Sequence, residues 1–400
     1  RVVQNQLIVD IASFRKNAHC IDDDLRHRDF TINAMAVDLS YGSASQLDSC
    51  EIIDPLGGLN DLANKIIKAC NSLCLDDDPL RMLRAFRLMA KFGFAIDLQT
   101  VELIVKCKEG MGRVAGERVW SELKKILDQK DSWKVFNTMD DYGLLPEILP
   151  EIVEGRGVAQ PSSHHLDVME HCLETLKQME EILEDPGQHF PGNRDLVEGY
   201  CANNERLFLK VSALLHDIGK PSVSDIKDSG RITFYNHDIQ GQQIVAIIAR
   251  RLRWSSRETS KVLRLVKEHM RPFHLINSRK KTGITPRACL KLAKAAGDDL
   301  IGLFLLAMAD SLAGQGEGKP LEMEEEIADL FAEVYGTYVD KIRPVLEELP
   351  INGHDLIQSL QLMPGPLFKE IFEALERELV THGTMEKEQA LAWVQGFLNK

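Results

Sequence analysis

The stretch DDDPLRMLRAFRLMAKFGF, residues 76–94, decides how the chain is read. Asp78 followed by Pro79 predicts a helix start, with a capping carboxylate and then proline at the first helical position. Gly93 predicts its stop. Between them Leu80, Met82, Leu83, Ala85, Phe86, Leu88, Met89 and Ala90 cover most of the helix circumference, so the helix is expected to be buried. Arg81, Arg84, Arg87 and Lys91 recur every three to four positions and form one narrow basic stripe. A buried guanidinium without a partner is prohibitively costly. The stripe must therefore face carboxylates, a cleft or an anionic ligand. The plain alternative is a set of structural salt bridges.

The rest of the composition sets limits. A chain of 400 residues predicts two or more packing units. With 44% hydrophobic and 27% charged residues it reads as soluble and globular. A net charge of −13 argues against a general nucleic-acid coat but leaves room for a local basic groove, because only nearby charge acts through physiological salt. No membrane partner is expected: the apolar run IGLFLLAMADSLAG, residues 301–314, is too short to span and carries Asp310. The eight cysteines show no zinc or disulfide framework, and Cys70 and Cys74, one turn apart, have no second pair to complete one. That usage predicts a reducing, cytoplasmic setting.

At the start, RVVQNQLIVDIASF reads as two strands around a turn at Gln4, Asn5 and Gln6, with Asp10 on the face opposite Val9 and Ile11. Beginning at Arg1 inside a strand, the chain reads as a fragment or a processed product. From about Pro55 helical periodicity takes over, and breaks are expected near residues 154–163 and 314–320, both rich in turn residues. The fold class expected is mainly α: a truncated α/β piece over 1–55, a helical neck over 56–153, an all-α domain over 154–319 and a helical tail over 320–400.

Four segments now fall in order: LRHRDFTINAMAVDL (25–39), DPLGGLNDLANKIIKA (54–69), the stretch quoted first, and GERVWSEL (116–123). Together they resemble the class II tRNA nucleotidyltransferase family, which includes CCA-adding enzymes, A-adding enzymes and bacterial poly(A) polymerases. The resemblance implies that residues 1–55 are the end of a nucleotidyltransferase palm. It implies that Arg28, Asp29 and Asn33 contact the ribose and phosphates of an incoming nucleotide; His27 stands where the family usually has a second arginine. It places base reading on Asp78 and Arg81. The chemistry is sound, because adenine and cytosine each present an amino donor beside a ring-nitrogen acceptor, which a carboxylate and a guanidinium match. Arg84 and Arg87 would line the same anionic cleft. Asp10 matches the third carboxylate of a magnesium-binding catalytic set whose Asp-x-Asp pair is expected upstream, so the 400-residue chain alone is expected not to transfer nucleotides. Asp22, Asp23 and Asp24 read as a solvated loop.

A second ordered set is HHLDVMEHCLETL (164–176), ALLHDIGKP (213–221), NHDIQGQQIV (236–245), KEHM (267–270) and LAMADSLAG (306–314). It resembles an HD-domain metal phosphohydrolase of the kind fused to bacterial CCA-adding enzymes. The expected ligands are His171, His216, Asp217 and Asp310, a mixed nitrogen and oxygen set suited to manganese, nickel, iron or magnesium. His237 and His269 are expected to hold a second metal or to grip phosphate. Lys220 is placed to neutralise a phosphoryl oxygen, and Asp167 to orient His171. His19, His189, His274, His354 and His382 read as surface or core filler, and no chemistry is read in the tail.

The function expected is addition of CMP and AMP to the 3′ end of tRNA from ATP and CTP, with magnesium, beside an HD phosphohydrolase. Three alternatives stand: only the HD domain works, on phosphomonoesters or 2′,3′-cyclic phosphates; the chain is a poly(A) polymerase; or it is a non-catalytic RNA-binding scaffold. The sequence sets no oligomeric state.

Overall fold

The computed structural model describes residues 13–14, 18–38, 51–202 and 205–399, and the backbone of 2–4, 7–9, 203 and 204. Asp10 lies outside the described residues. The chain is mainly α-helical and divides into two units: Arg1–Arg156 with Ile247–Ser255, and Gly157–Ala246 with Ser256–Lys400.

In the first unit, strand Val2–Gln4 pairs antiparallel with Leu7–Val9, Val2 opposite Val9. Two further short pairs follow, Ala36–Val37 with Ile52–Ile53 and Ile66–Ile67 parallel to Ala95–Ile96. The decisive stretch forms the helix Leu80–Phe92 and buries Leu80, Met82, Leu83, Ala85, Phe86 and Leu88. Each of the leucine, methionine and phenylalanine side chains taken out of water contributes roughly 1.5–3 kcal/mol, so this face anchors the unit. Gly93 ends the helix in the left-handed region (φ 66°), its N–H returning 2.8 Å to the Met89 carbonyl. The start differs from expectation. Pro79, not Asp78, holds the N-cap position, and no side chain caps the helix; only the Asp78 carbonyl joins it, accepting from Arg81 N at 3.0 Å. The Asp78 carboxylate is engaged elsewhere. Asp22 to Asp24, read as a loop, belong to a helix, Ile21–Arg26, in which Asp24 is buried against Arg28. Acidic residues suit a first helical turn, which is why a run of them did not break the chain.

The second unit is helical apart from a hairpin of Asp225–Ile226 with Ile232–Thr233. Its centre is the helix Leu300–Ala313, apolar on nearly every side and therefore enclosed, with Val168–Glu184 and Arg206–Leu215 packed against it. Residues 154–319 and 320–400, read as separate parts, share one core here: Leu209, Phe304 and Leu305 belong to the same cluster as Phe331, Leu375 and Val394. Among the described residues no helix is long and apolar enough to cross a membrane.

Candidate functional site

The second unit gathers six side chains from five helical segments. His171 lies in the first turn of Val168–Glu184, after an N-cap by Asp167; His216 and Asp217 follow directly on Arg206–Leu215. His237 opens His237–Arg251, His269 follows Ser256–Glu268, and Asp310 lies in Leu300–Ala313. Gly219 makes this gathering possible: a Cβ there would stand 2.1 Å from the His237 carbonyl oxygen, so only glycine lets the two segments approach. All six side chains are buried.

Their donor atoms converge. His171 Nε2 is 3.0 Å from Asp310 Oδ1 and 3.5 Å from Asp217 Oδ2, while His216 Nε2 is 3.1 Å from Asp217 Oδ2 and 3.6 Å from Asp310 Oδ1. Asp217 turns its other oxygen to a second group: Oδ1 is 3.4 Å from His237 Nε2 and 3.5 Å from His269 Nε2, and those two nitrogens are 3.1 Å apart. Three rings are fixed in the same way. The Nδ1–H of His216, His237 and His269 donates to the carbonyl three residues back, Ala213, Phe234 and Val266, at 2.9, 2.8 and 2.6 Å. Each Nε2 lone pair is thereby aimed at Asp217.

Lone pairs facing carboxylates repel unless a cation, either a metal ion or a proton on the nitrogen, lies between them, and without a metal His216 is the ring that takes the proton. Burial alone depresses His216, but Asp217 and Asp310 overcome it and carry the imidazole up to about 10. Burial raises both carboxyls, yet the His216 charge holds them well below the ordinary carboxylate range. His171 and His237 go the other way, kept neutral mainly by burial, His237 at about 4. His216 Nε2 has no hydrogen-bond partner of good geometry. Ligand atoms on neighbouring vertices about an ion with ~2.1 Å bonds stand about 3.0–3.4 Å apart, close to the spacing found. The residues fit a divalent cation. Among the described residues, two groups are close enough to share one: His171, His216 and Asp217, and Asp217, His237 and His269.

Beside this centre lies a cavity of about 560 Å³, whose lining includes Asp217, Asp310, His237 and Lys220 together with Phe234, Phe273 and Met323. Lys220 is buried, 2.5 Å from Asp217 Oδ2 and 2.6 Å from Gln160 Oε1.

The first unit holds the other set. Asp29 accepts from its neighbour Phe30 N at 2.9 Å and from Asn33 Nδ2 at 3.4 Å, and pairs with Arg84 at 2.5 Å. Arg81 donates to three backbone carbonyls, those of His27, Arg28 and Cys74, at 3.1 to 3.3 Å. Arg87 pairs with the buried carboxylate of Glu122 at 2.9 Å. Asp78 is met by Arg118, whose Nη2 lies 3.0 and 3.3 Å from its two oxygens.

Comparison with known proteins follows the same order along the chain. Residues 4–68 match the poly A polymerase head domain, 93–155 the probable RNA and SrmB-binding site of polymerase A, 168–314 the HD domain, and 340–394 a putative tRNA nucleotidyltransferase domain 2. The chain belongs to the tRNA nucleotidyltransferase and poly(A) polymerase family, with an HD domain. A relative from Deinococcus radiodurans, an A-adding tRNA nucleotidyltransferase, is 29% identical over 387 residues, 94% of this chain and 79% of its own length. A multifunctional CCA protein of Neisseria gonorrhoeae is 33% identical over 269 residues, 66% of this chain; the match spans 57% of that protein. Among solved structures, a CCA-adding enzyme in complex with ATP covers 95% of this chain and 73% of its own, at 21% identity and TM-score 0.56. A Thermotoga maritima CCA-adding enzyme complexed with tRNA covers 94% and 74%, at 21% identity and TM-score 0.53. Both likenesses concern the fold.

Set against the tRNA nucleotidyltransferase reading, the structure brings Arg28, Asp29, Asn33, Arg81 and Arg84 into one neighbourhood, while Arg87 joins Glu122 and Asp78 joins Arg118. It brings all six HD residues together. Asp167 does not orient His171: its oxygens accept from Glu170 N and Gly157 N, satisfying backbone donors at the helix start, and His171 Nδ1 has no hydrogen-bond partner. His274, read as filler, lines the cavity. Three residues went unread. Arg118 sits inside a quoted motif, Gln160 holds Lys220, and His164 lines the cavity with its ring edge-on to His171 at 4.6 Å between centroids. Only the paired His164 and His165 beside Asp167 signalled the last.

Proposed function

We propose that the chain is part of a tRNA-maturing nucleotidyltransferase that adds CMP and AMP to RNA 3′ ends from CTP and ATP with magnesium, joined to an HD phosphohydrolase. The single observation that supports it most is the match of 387 residues, across both units, to an A-adding tRNA nucleotidyltransferase. On this reading residues 1–55 are the end of the palm, 56–153 the neck that selects the nucleotide and holds RNA, 154–319 the HD domain and 320–400 the tail. The RNA partner is the tRNA 3′ end, held mainly through phosphates. The protein works in the cytoplasm. Asp78 keeps lone pairs beyond those taken by Arg118, and these accept the amino group of adenine or cytosine. Guanine and uracil would leave it mispaired. Asp29 and Asn33 face the ribose and Arg84 the phosphates.

In the HD site His171, His216, Asp217 and Asp310 hold one divalent ion, a transition metal such as manganese, nickel or iron, or magnesium; His237 and His269 with Asp217 hold a second. A bound ion polarises a phosphoryl oxygen and acidifies water. The chain's own part is to fix three imidazoles by backbone carbonyls, to exclude bulk water by burial, and to set Lys220 where it meets phosphoryl charge. The reaction is hydrolysis: water oxygen joins phosphorus, the ester P–O bond breaks, and the proton leaves with the alcohol.

Equilibrium binding of the four ribonucleoside triphosphates tests the first part, with CTP and ATP expected roughly tenfold or more tighter than GTP and UTP. Equal binding of all four would remove base selection. A second reading, in which hydrolysis is the activity of this chain, is favoured by the converged donor atoms of the HD site and is tested by hydrolysis of a 2′,3′-cyclic nucleotide with added manganese or nickel.

A further inference from the structure

The cavity beside the HD centre is larger than a phosphate needs. Its volume of about 560 Å³ is that of a site for a whole small molecule, and its lining includes Ile232, Phe234, Met270, Phe273 and Met323 besides the polar groups. The organic part of a phosphoester held at the ligands therefore meets an apolar, aromatic surface.

One ring of that surface is placed by the metal set itself. Lys220 Nζ stands 2.5 Å from Asp217 Oδ2 and 5.4 Å from the centre of the Phe234 ring, so a single ammonium joins the ring to the carboxylate. The Phe234 carbonyl accepts from His237 Nδ1 at 2.8 Å, which ties the same residue to a second proposed ligand. Phe234 is only half-buried, and it lines the cavity. Its neighbour Tyr235 is largely exposed and stands against Lys227 of the hairpin turn instead.

Asn236 comes next, exposed and lining the same cavity, on backbone with φ 62°. That left-handed residue carries the chain from the hairpin into His237–Arg251, a turn that glycine and asparagine take most readily. A carboxamide offers a donor and an acceptor together, the pattern that the edge of a nucleobase matches.

We propose that the HD site selects base-bearing phosphoesters through this strip of chain, with the base stacked on Phe234 and its edge bonded to Asn236 while the phosphoryl group sits at the ligands. Every base has a planar π face, so an aromatic ring holds any of them. The inference rests on the phosphohydrolase reading above and adds the residues that hold the organic group.

The test uses the whole chain loaded with manganese, with adenosine 3′-monophosphate and inorganic phosphate as probes, measured by calorimetry. The wild type is expected to hold the nucleotide more tightly than phosphate. Phe234→Ala is expected to keep wild-type metal content, to weaken the nucleotide roughly tenfold or more, and to leave phosphate unchanged. Phe234→Leu, which keeps apolar bulk without a π face, is expected to lose nearly as much, and Phe234→Tyr to recover most of the loss. Asn236→Gly, which keeps the left-handed turn and removes the amide, is expected to weaken the nucleotide but not phosphate. Tyr235→Ala is expected to change neither. An RNA dinucleotide with a 3′-phosphate separates the two sources of this chemistry: tighter binding than the mononucleotide, with the same Phe234 dependence, assigns an RNA end, and weaker binding a free nucleotide. Unchanged nucleotide affinity in Phe234→Ala and Phe234→Leu, a larger loss in Tyr235→Ala, or a wild type that prefers phosphate would overturn the proposal. Nucleotide bound with this dependence, but a 2′,3′-cyclic nucleotide never hydrolysed, would refute the phosphohydrolase reading and leave the base contact standing.

Discussion

Asp78 meets Arg118 rather than Arg81, although Arg81 lies one helical turn along the same strip of sequence. Arg81 instead holds the carbonyls of residues 27, 28 and 74, so the two members of the expected base-reading pair have separate structural partners. Substitutions at the two arginines should therefore differ. Arg118→Ala breaks a largely exposed pair and is expected to cost less than about 1 kcal/mol of stability. Arg81→Ala strands three carbonyls that are partly buried and is expected to cost about 1–3 kcal/mol. Urea unfolding of both variants checks the order; a larger loss for Arg118→Ala would contradict it.

Asp78→Asn turns one accepting oxygen into a donor and disturbs no helix cap, since none is made there. Preference for CTP and ATP over GTP and UTP is expected to relax roughly tenfold, at nearly unchanged stability. Competition binding with the four nucleotides measures it. A full preference in the variant returns Asp78 to a purely structural pair with Arg118.

Glu324 gives a pH prediction outside the metal centre. Burial raises its carboxyl, but Lys319 and Ser311 outweigh this and hold it below its usual 4.5. A carboxyl depressed on folding stabilises the fold above its unfolded value, and that contribution is lost as pH falls through the lower folded value. Glu324→Gln should thus lower stability by about 0.5–1 kcal/mol at neutral pH, with the difference from wild type shrinking below about pH 4.5. Thermal unfolding across pH shows the sign; a gap that widens in acid would contradict it.

What the sequence made legible follows from how each signal is encoded. The helix Leu80–Phe92 and its buried face were readable because periodicity states them directly, and the six HD residues because the segments that carry them resemble an HD domain in order. The partners of Asp78 and Arg87 were not readable, because Arg118 and Glu122 lie more than thirty residues away and only folding chooses among several acids and arginines; those of Arg81 were not, because they are backbone carbonyls, which no residue type marks. Asp167 was misjudged for a local reason: a carboxylate at a helix start is drawn first to backbone N–H groups. His164 escaped because the loop that carries it is held by Gly316 and Gly318, about 150 residues further on. The shared core of residues 154–319 and 320–400 was hidden by the Gly-rich turn at 314–320, which reads as a boundary but lies against residues 162–164.

Six buried side chains converge with Asp217 at their middle, one oxygen toward each group, and are proposed to hold metal. Metal content of purified wild type and Asp217→Ala, after manganese or nickel loading and removal of free ion, tests it most directly. At least one tightly held ion per wild-type chain is expected and essentially none in the variant, with the helical fold retained by circular dichroism. Equal metal in the two proteins would contradict it.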